Sequence, residues 1–272
     1  MCLILFSFNT QPGFRLILAA NRDEFYVRPT RPLSAWTDVP EVYGGRDLKE
    51  GGTWLGISRR GRLAALTNYR NPAHQLPQAP SRGLLINRFL TGDAPPADYL
   101  EQLQKTAHSY NGFNLLAGDQ TGLWYFSNRS NEIVELQPGY YGLSNHLIDT
   151  EWPKVSQGKK RLQDLLNRSG GWDAEDLFAL LADRAVAPDR ELPDTGVGLE
   201  WERVLSPLFI TSPNYGTRSS TVLLIETSGE VTLLERSFVA GKSPDDAVEA
   251  TRSEHFKISA SSSTDASDRA AP

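Results

Sequence analysis

A thiol and an amine can share one residue at the start of this chain. Cys2 follows Met1 directly and is the sole cysteine among 272 residues. Removal of Met1 would leave Cys2 with a free α-amine beside its thiol, groups that titrate near ~8 and ~8.5. Together they make a nucleophile with its own base, and cysteine needs the least help of any side chain to become nucleophilic at neutral pH. The competing reading is a small apolar residue opening the strand Leu3-Ile4-Leu5-Phe6, because a lone cysteine is usually inert core.

More polar groups stand where strands are expected to end. Asn21-Arg22-Asp23-Glu24 closes the second apolar run, and a tight hairpin of two ~20 Å strands lays that end beside Cys2. A cation there lowers a thiol pKa and a carboxylate fixes an N-terminal ammonium; the bland alternative is a solvated loop with local ion pairs. Thr67-Asn68-Tyr69 and Leu143-Ser144-Asn145-His146 end later strands. Asparagine amides suit an oxyanion because they donate without charge, although most asparagines at strand ends make turns. Arg218, in Tyr215–Ser220, has the fork geometry for a carboxylate or for the acidic cluster, and equally suits a plain surface. Phe25, Tyr26, Trp36, Trp54 and Tyr69 flank these loops and suit either an apolar pocket or core packing.

The elements that must hold these groups read as follows. Runs at Cys2–Phe8 and Arg15–Ala20 form a hairpin across the Pro12-Gly13 turn. A Pro-rich polar loop follows through Pro32, with Gly44-Gly45 and Gly51-Gly52 read as turns. A second hairpin joins Gly51–Ile57 to Leu63–Asn68. Helical spacing covers Arg82–Leu90 and Ala97–His108; strands return at Phe113–Ala117, Leu123–Phe126, Ile133–Leu136 and Tyr141–Leu143. Helices are expected at Val155–Leu166 and Asp173–Ala185, a polar loop at Pro188–Glu202, and a last hairpin at Ser220–Ile225 with Val231–Leu234. Strands adjacent in sequence and joined by short turns favour antiparallel sheets covered by helices, an α+β arrangement. One domain over 1–257 is expected; the remainder, 258–272, is Ser/Ala/Asp-rich from Ser259 and is expected to be disordered.

Composition sets the outer bounds. With 39% hydrophobic and 22% charged residues the chain can bury a sizeable core, and a net charge of −5 with no long basic stretch argues against nucleic-acid binding. One cysteine precludes an internal disulfide, and four scattered histidines show no metal-ligand spacing. No apolar run approaches the ~20 residues of a membrane span, and the opening MCLILFSF lacks a basic n-region, so a cytoplasmic location is the expectation.

The segments MCLILF, ANRDEFYVRPT, GGTWLGISRRGRLAALTNYRNP, YNGFNLLAGD, YYGLSNHLIDTEWPK and YGTRSSTVLLI resemble the NRDE family, also called the transport and Golgi organisation 2 family. The likeness runs through nearly the whole chain to position 257. That family is in turn similar to the N-terminal-nucleophile hydrolases, in particular the penicillin V acylase and bile salt hydrolase group. The resemblance implies an αββα sandwich, two antiparallel sheets between helical layers. It implies Cys2 as nucleophile, Arg22 paired with Asp23 or with Glu24, Asn68 and Asn145 as oxyanion donors, and a late arginine at Arg218. It further implies hydrolysis of a C–N amide bond in a small acyl-amide, with no cofactor required. The alternative is a non-catalytic carrier of haem or a lipid acyl ligand, with Cys2, His74, His108, His146 or His255 as candidate haem ligands. The sequence carries no expectation about oligomeric state.

Overall fold

A computed structural model describes residues 2–239 and 248–259 of the chain. The amino-terminal half runs β1 (Cys2–Phe8), β2 (Phe14–Phe25), β3 (Thr30–Ala35), β4 (Val42–Asp47), β5 (Leu55–Ser58), β6 (Leu63–Asn68), α1 (Gly83–Thr91) and α2 (Pro96–Gln104). The strands β7 (Phe113–Gly118), β8 (Leu123–Ser127), β9 (Glu132–Glu135) and β10 (Gly139–Leu143) follow. The chain then runs α3 (Pro153–Leu166), α4 (Ala174–Leu181), α5 (Leu199–Leu205), β11 (Tyr215–Glu226), β12 (Glu230–Phe238) and β13 (Val248–Lys257).

The strands form two antiparallel sheets, ordered β10-β1-β2-β11-β12-β13 and β3-β4-β5-β6-β7-β8-β9. Helices α3 and α4 cover the first sheet and α1 and α2 the second, which gives four layers, α-β-β-α. Strand alternation explains the core between the sheets and the cores under the helices. In β1, Ile4, Phe6 and Phe8 point between the sheets, where they meet Leu18, Ile57 and Leu116. Leu3 and Leu5 point the other way and pack with Ile17, Ala19, Val155, Leu162 and Leu177 under α3 and α4. A strand buried on both faces is apolar along nearly all its length, which is why β1 reads as a hydrophobic run broken only at Ser7, whose hydroxyl hydrogen-bonds with that of Thr10.

Several expected boundaries move, each for a physical reason. Asn21–Glu24 is strand, not loop: β2 continues to Phe25 because it pairs on one edge with β1, where Cys2 faces Arg22, and on the other with β11 out to Phe25↔Tyr215. The Pro-rich stretch contains β3, whose pairing with β4 skips a register between Arg31 and Ser34 and so accommodates Pro32. Gly44-Gly45 lies in β4; a Cβ on Gly44 would stand 2.7 Å from the Leu55 carbonyl oxygen, so its lack of a side chain serves a close strand approach. The expected loop 188–202 contains the start of α5. Ile258 packs against the inter-sheet core and the Ser259 N–H donates to the Arg59 carbonyl; the rest of the expected tail, 260–272, lies outside the described residues. Among the described residues no helix is long and apolar enough to cross a membrane.

Candidate active site

Register places the polar groups. Cys2 stands opposite Arg22, so both side chains share the inter-sheet face with Ile4 and Ala20, while Asn21 and Asp23 take the helix face. The contacts agree with that alternation: the Asn21 amide donates to the Leu181 and Leu208 carbonyls at 2.9 Å each, and Asp23 lies near the ammonium of Lys154 on α3. A cleft of about 280 Å³ opens at this sheet edge, bordered by Cys2, Arg22, Asp23, Glu24, Asn68 and Arg82 among others. The end of β6 brings Asn68 to it, and no other described residue takes up the Asn68 side-chain amide. A second, apolar groove of about 420 Å³ meets the cleft at Glu24 and Asn68 and is walled by Phe25, Trp201 and Tyr215.

The electrostatics follow from burial. Cys2 is 8% exposed. That burial pushes its thiol up, helped by the Asp23 charge and opposed by the Arg22 charge and a hydrogen bond from the Asp23 backbone. Burial likewise raises Asp23, against the Lys154 charge and a 2.7 Å hydrogen bond from the Thr217 hydroxyl. Lys154 is pushed down to about 8 by burial, against the pull of Asp23, and its ammonium donates to the Leu205 carbonyl at 3.0 Å. Behind it, Arg70 donates to Glu202 at 2.5 Å and lies over the Trp152 ring at 4.8 Å. Glu202 also accepts from the Thr195 N–H and hydroxyl, so this buried pair is fully held.

The expected site residues divide into three groups. Cys2, Arg22, Asp23, Glu24 and Asn68 border one cleft. Neither carboxylate pairs with Arg22: Asp23 faces the helix layer, and Glu24 sits 3.8 Å from Arg28 and accepts from the Phe25 N–H. Asn145 is fully buried behind the cleft; its amide donates to the Asn68 carbonyl at 2.9 Å, and its own carbonyl accepts from the Arg70 N–H at 2.7 Å. It therefore clamps the end of β6 to the end of β10. Ser144 adds a hydroxyl donated to the Cys2 carbonyl at 3.2 Å. Arg218 borders a different cavity, because a register shift between Thr217 and Ser219 turns it out of the ladder, and it donates to the Phe25, Tyr26 and Arg28 carbonyls.

Of the aromatic set, Phe25 walls the groove, Trp54 borders the cleft, and Trp36 joins the core under α1 and α2. His146 uses both ring nitrogens, sharing hydrogen bonds with the Tyr69 hydroxyl (2.6 Å) and the Thr150 hydroxyl (2.8 Å). Sequence reasoning missed Arg70, Arg82, Lys154 and Glu202. Arg82 carried a usable signal, because a cation at a helix N-terminus opposes the helix dipole and invites a reason.

Comparison with known proteins places the chain. The family model described as Transport and Golgi organisation 2 matches residues 1–240. The human Transport and Golgi organization protein 2 homolog is 41% identical over 259 residues, covering 88% of this chain and 94% of the relative. Similar solved structures include a Caenorhabditis elegans ortholog of N-acylethanolamine-hydrolyzing acid amidase, with a TM-score of 0.49, 13% identity, and 82% of this chain and 92% of that one covered. The C2A mutant of conjugated bile acid hydrolase from Clostridium perfringens gives a TM-score of 0.49 and 10% identity, covering 95% of this chain and 97% of that one.

Proposed function

This chain belongs to the transport and Golgi organisation 2 family, and from the arrangement around Cys2 we propose that it is an N-terminal-cysteine hydrolase cleaving the C–N amide bond of a small acyl-amide. The observation that carries this reading is the shared cleft: the only thiol of the chain borders the same cavity as Arg22 and the open amide of Asn68.

The chemistry runs in two halves. Once Met1 is removed, the α-amine of Cys2 takes the thiol proton and the thiolate attacks the substrate carbonyl carbon. The resulting oxyanion accepts from the Asn68 side-chain amide, which Asn145 holds by its backbone. The ammonium returns the proton to the departing nitrogen, the C–N bond breaks, and a thioester remains on Cys2. Water, deprotonated by the same amine, then cleaves the thioester and releases the acid. Burial pushes the thiol up, the direction that suits a nucleophile handing its proton to an adjacent amine rather than standing as a free thiolate.

Intact-protein mass spectrometry and an acyl-amide panel test this reading. The expected result is a mature chain lacking Met1, with turnover that falls at least about a thousandfold in Cys2→Ala. A mature chain that keeps Met1 sinks the mechanism, since no free amine then adjoins the thiol. A carrier of apolar acyl ligands is the second reading, favoured by the groove in which Phe25 and Trp201 remain 51% and 44% exposed. It predicts binding without turnover in both wild type and Cys2→Ala.

A further inference from the structure

The charges around the Cys2 cleft do not all have partners. Arg28 pairs with Asp47 at 2.5 Å and approaches Glu24, and Arg46 pairs with Asp38 at 2.5 Å. Asp23 faces Lys154, and Glu50 stands exposed at the rim. Two cations are left over. Arg22 is only 6% exposed, feels the Glu235 charge from a distance, and buries its Nη1 without a hydrogen-bond partner among the described residues. Arg82 is part-buried, donates to the Gly112 carbonyl at 2.8 Å, and has no carboxylate within ion-pair distance among the described residues. Arg82 also caps the start of α1, a nine-residue helix with no acidic residue in its first turn. The helix N-terminus and both guanidinium groups therefore direct positive potential into one cavity.

Desolvating a cation without a partner is costly, and the two other arginines buried among the described residues are both satisfied from within, Arg70 by Glu202 and Arg62 by the Phe89 and Ala94 carbonyls. The missing partner is best supplied by ligand. An arginine fork presents two parallel N–H groups that match a carboxylate. On the far side of Glu24 and Asn68 the Phe25–Trp201 groove offers an apolar surface instead. We propose that the site takes an anionic amphipath: a carboxylate held between Arg22 and Arg82 at the start of α1, on a molecule whose apolar chain lies against Phe25 and Trp201. The scissile amide then lies between the two, where cleft and groove meet at Glu24 and Asn68, with Cys2 on the cleft side. This inference rests on the hydrolase reading for the amide but not for the anion site.

The test uses the full chain carrying Cys2→Ala, so that binding is read without turnover. Calorimetry compares N-dodecanoylglycine with N-dodecanoylglycinamide, which keeps the chain and the amide and removes the charge. The carboxylate is expected to bind at least about tenfold tighter, with an advantage that shrinks as salt rises. Arg82→Gln in the same background is expected to bring the two ligands within about twofold of each other. Equal affinities, no binding of either at millimolar concentration, or a preference that survives both Arg82→Gln and Arg22→Gln would overturn the proposal.

Alkylation of wild-type Cys2, the only thiol, gives a second reading that needs no ligand chain. Relative to free cysteine, iodoacetate is expected to gain on iodoacetamide, and Arg82→Gln is expected to erase that gain; no gain counts against the anion site. Carboxylate-selective binding without turnover leaves the inference standing and removes only the hydrolase reading. Turnover of neutral amides with no carboxylate preference does the reverse.

Discussion

Arg70 and Arg22 are buried on either side of the same sheet end, and the fold treats them in opposite ways. Arg70 has Glu202 at 2.5 Å, the Trp152 ring beneath it, and a carboxylate whose second oxygen is itself held by Thr195. Arg22 opens on the Cys2 cleft with no carboxylate at ion-pair distance among the described residues. Both have lost water, so the difference does not lie in exposure. It lies in what each faces: Arg70 is enclosed by α3, α5 and the loop before it, whereas Arg22 faces a cavity that a ligand can fill. Arg70 is matched from within the fold, and under the anion-site proposal Arg22 is left for a ligand to match.

The largest test of that contrast is Glu202→Ala. It strands the buried Arg70 and is expected to cost about 3–5 kcal/mol of stability, read as a lowered urea midpoint. An unchanged midpoint would break the distinction, since Arg70 would then tolerate isolation as Arg22 does.

A second test titrates Lys154. Its folded pKa is about 8, below the ordinary lysine value. At pH below about 8 the ammonium is charged in both states and the burial penalty is fully present. Between about 8 and 10.5 the unfolded chain binds more protons than the folded one, so stability rises with pH through that window. The gain from Lys154 is on the order of 2–3 kcal/mol. Urea curves from pH 7 to 10 should show it in wild type relative to Lys154→Met, which lacks the titration. Parallel curves would place Lys154 among freely solvated charges.

The smallest effect is expected at Arg82→Gln. It loses the hydrogen bond to Gly112, worth about 1 kcal/mol, and removes a cation from a helix N-terminus, worth up to about 1 kcal/mol the other way. The net change in midpoint should stay within about 1 kcal/mol, while anion selectivity disappears. A loss as large as that of Glu202→Ala would make Arg82 structural and sharpen the contrast down to Arg22 alone.

Particular residues show how far the sequence could be read. Cys2 and Arg22 were legible as neighbours because hairpin pairing is local, and a strand of known length brings one end to a known place. Asn68 was legible as a polar residue ending an apolar strand, and β6 does deliver it to the cleft. The choice between Asp23 and Glu24 as partner for Arg22 was not legible. Alternation turns Asp23 to the other face, and Glu24 is drawn to Arg28. Arg218 stands off the Cys2 cleft for a similar reason, since a β-bulge in β11 re-aims it and local sequence does not announce a bulge. The strand β3 was hidden by Pro32, which a register shift at the sheet edge absorbs.

By itself the sequence determined the class of the fold and the chemical inventory. The apolar run Cys2–Phe6 of β1 requires burial on both faces, short turns between successive strands require antiparallel pairing, and one cysteine at position 2 limits where a thiol nucleophile can be. Tertiary structure alone decided the company each group keeps. The clamp from Asn145 to Asn68 and the pairing of Arg70 with Glu202 both join segments far apart in the chain. Such contacts depend on how two sheets and their helices stack, and a side chain's charge or reactivity is set by the neighbours that stacking supplies, not by the residues beside it in sequence.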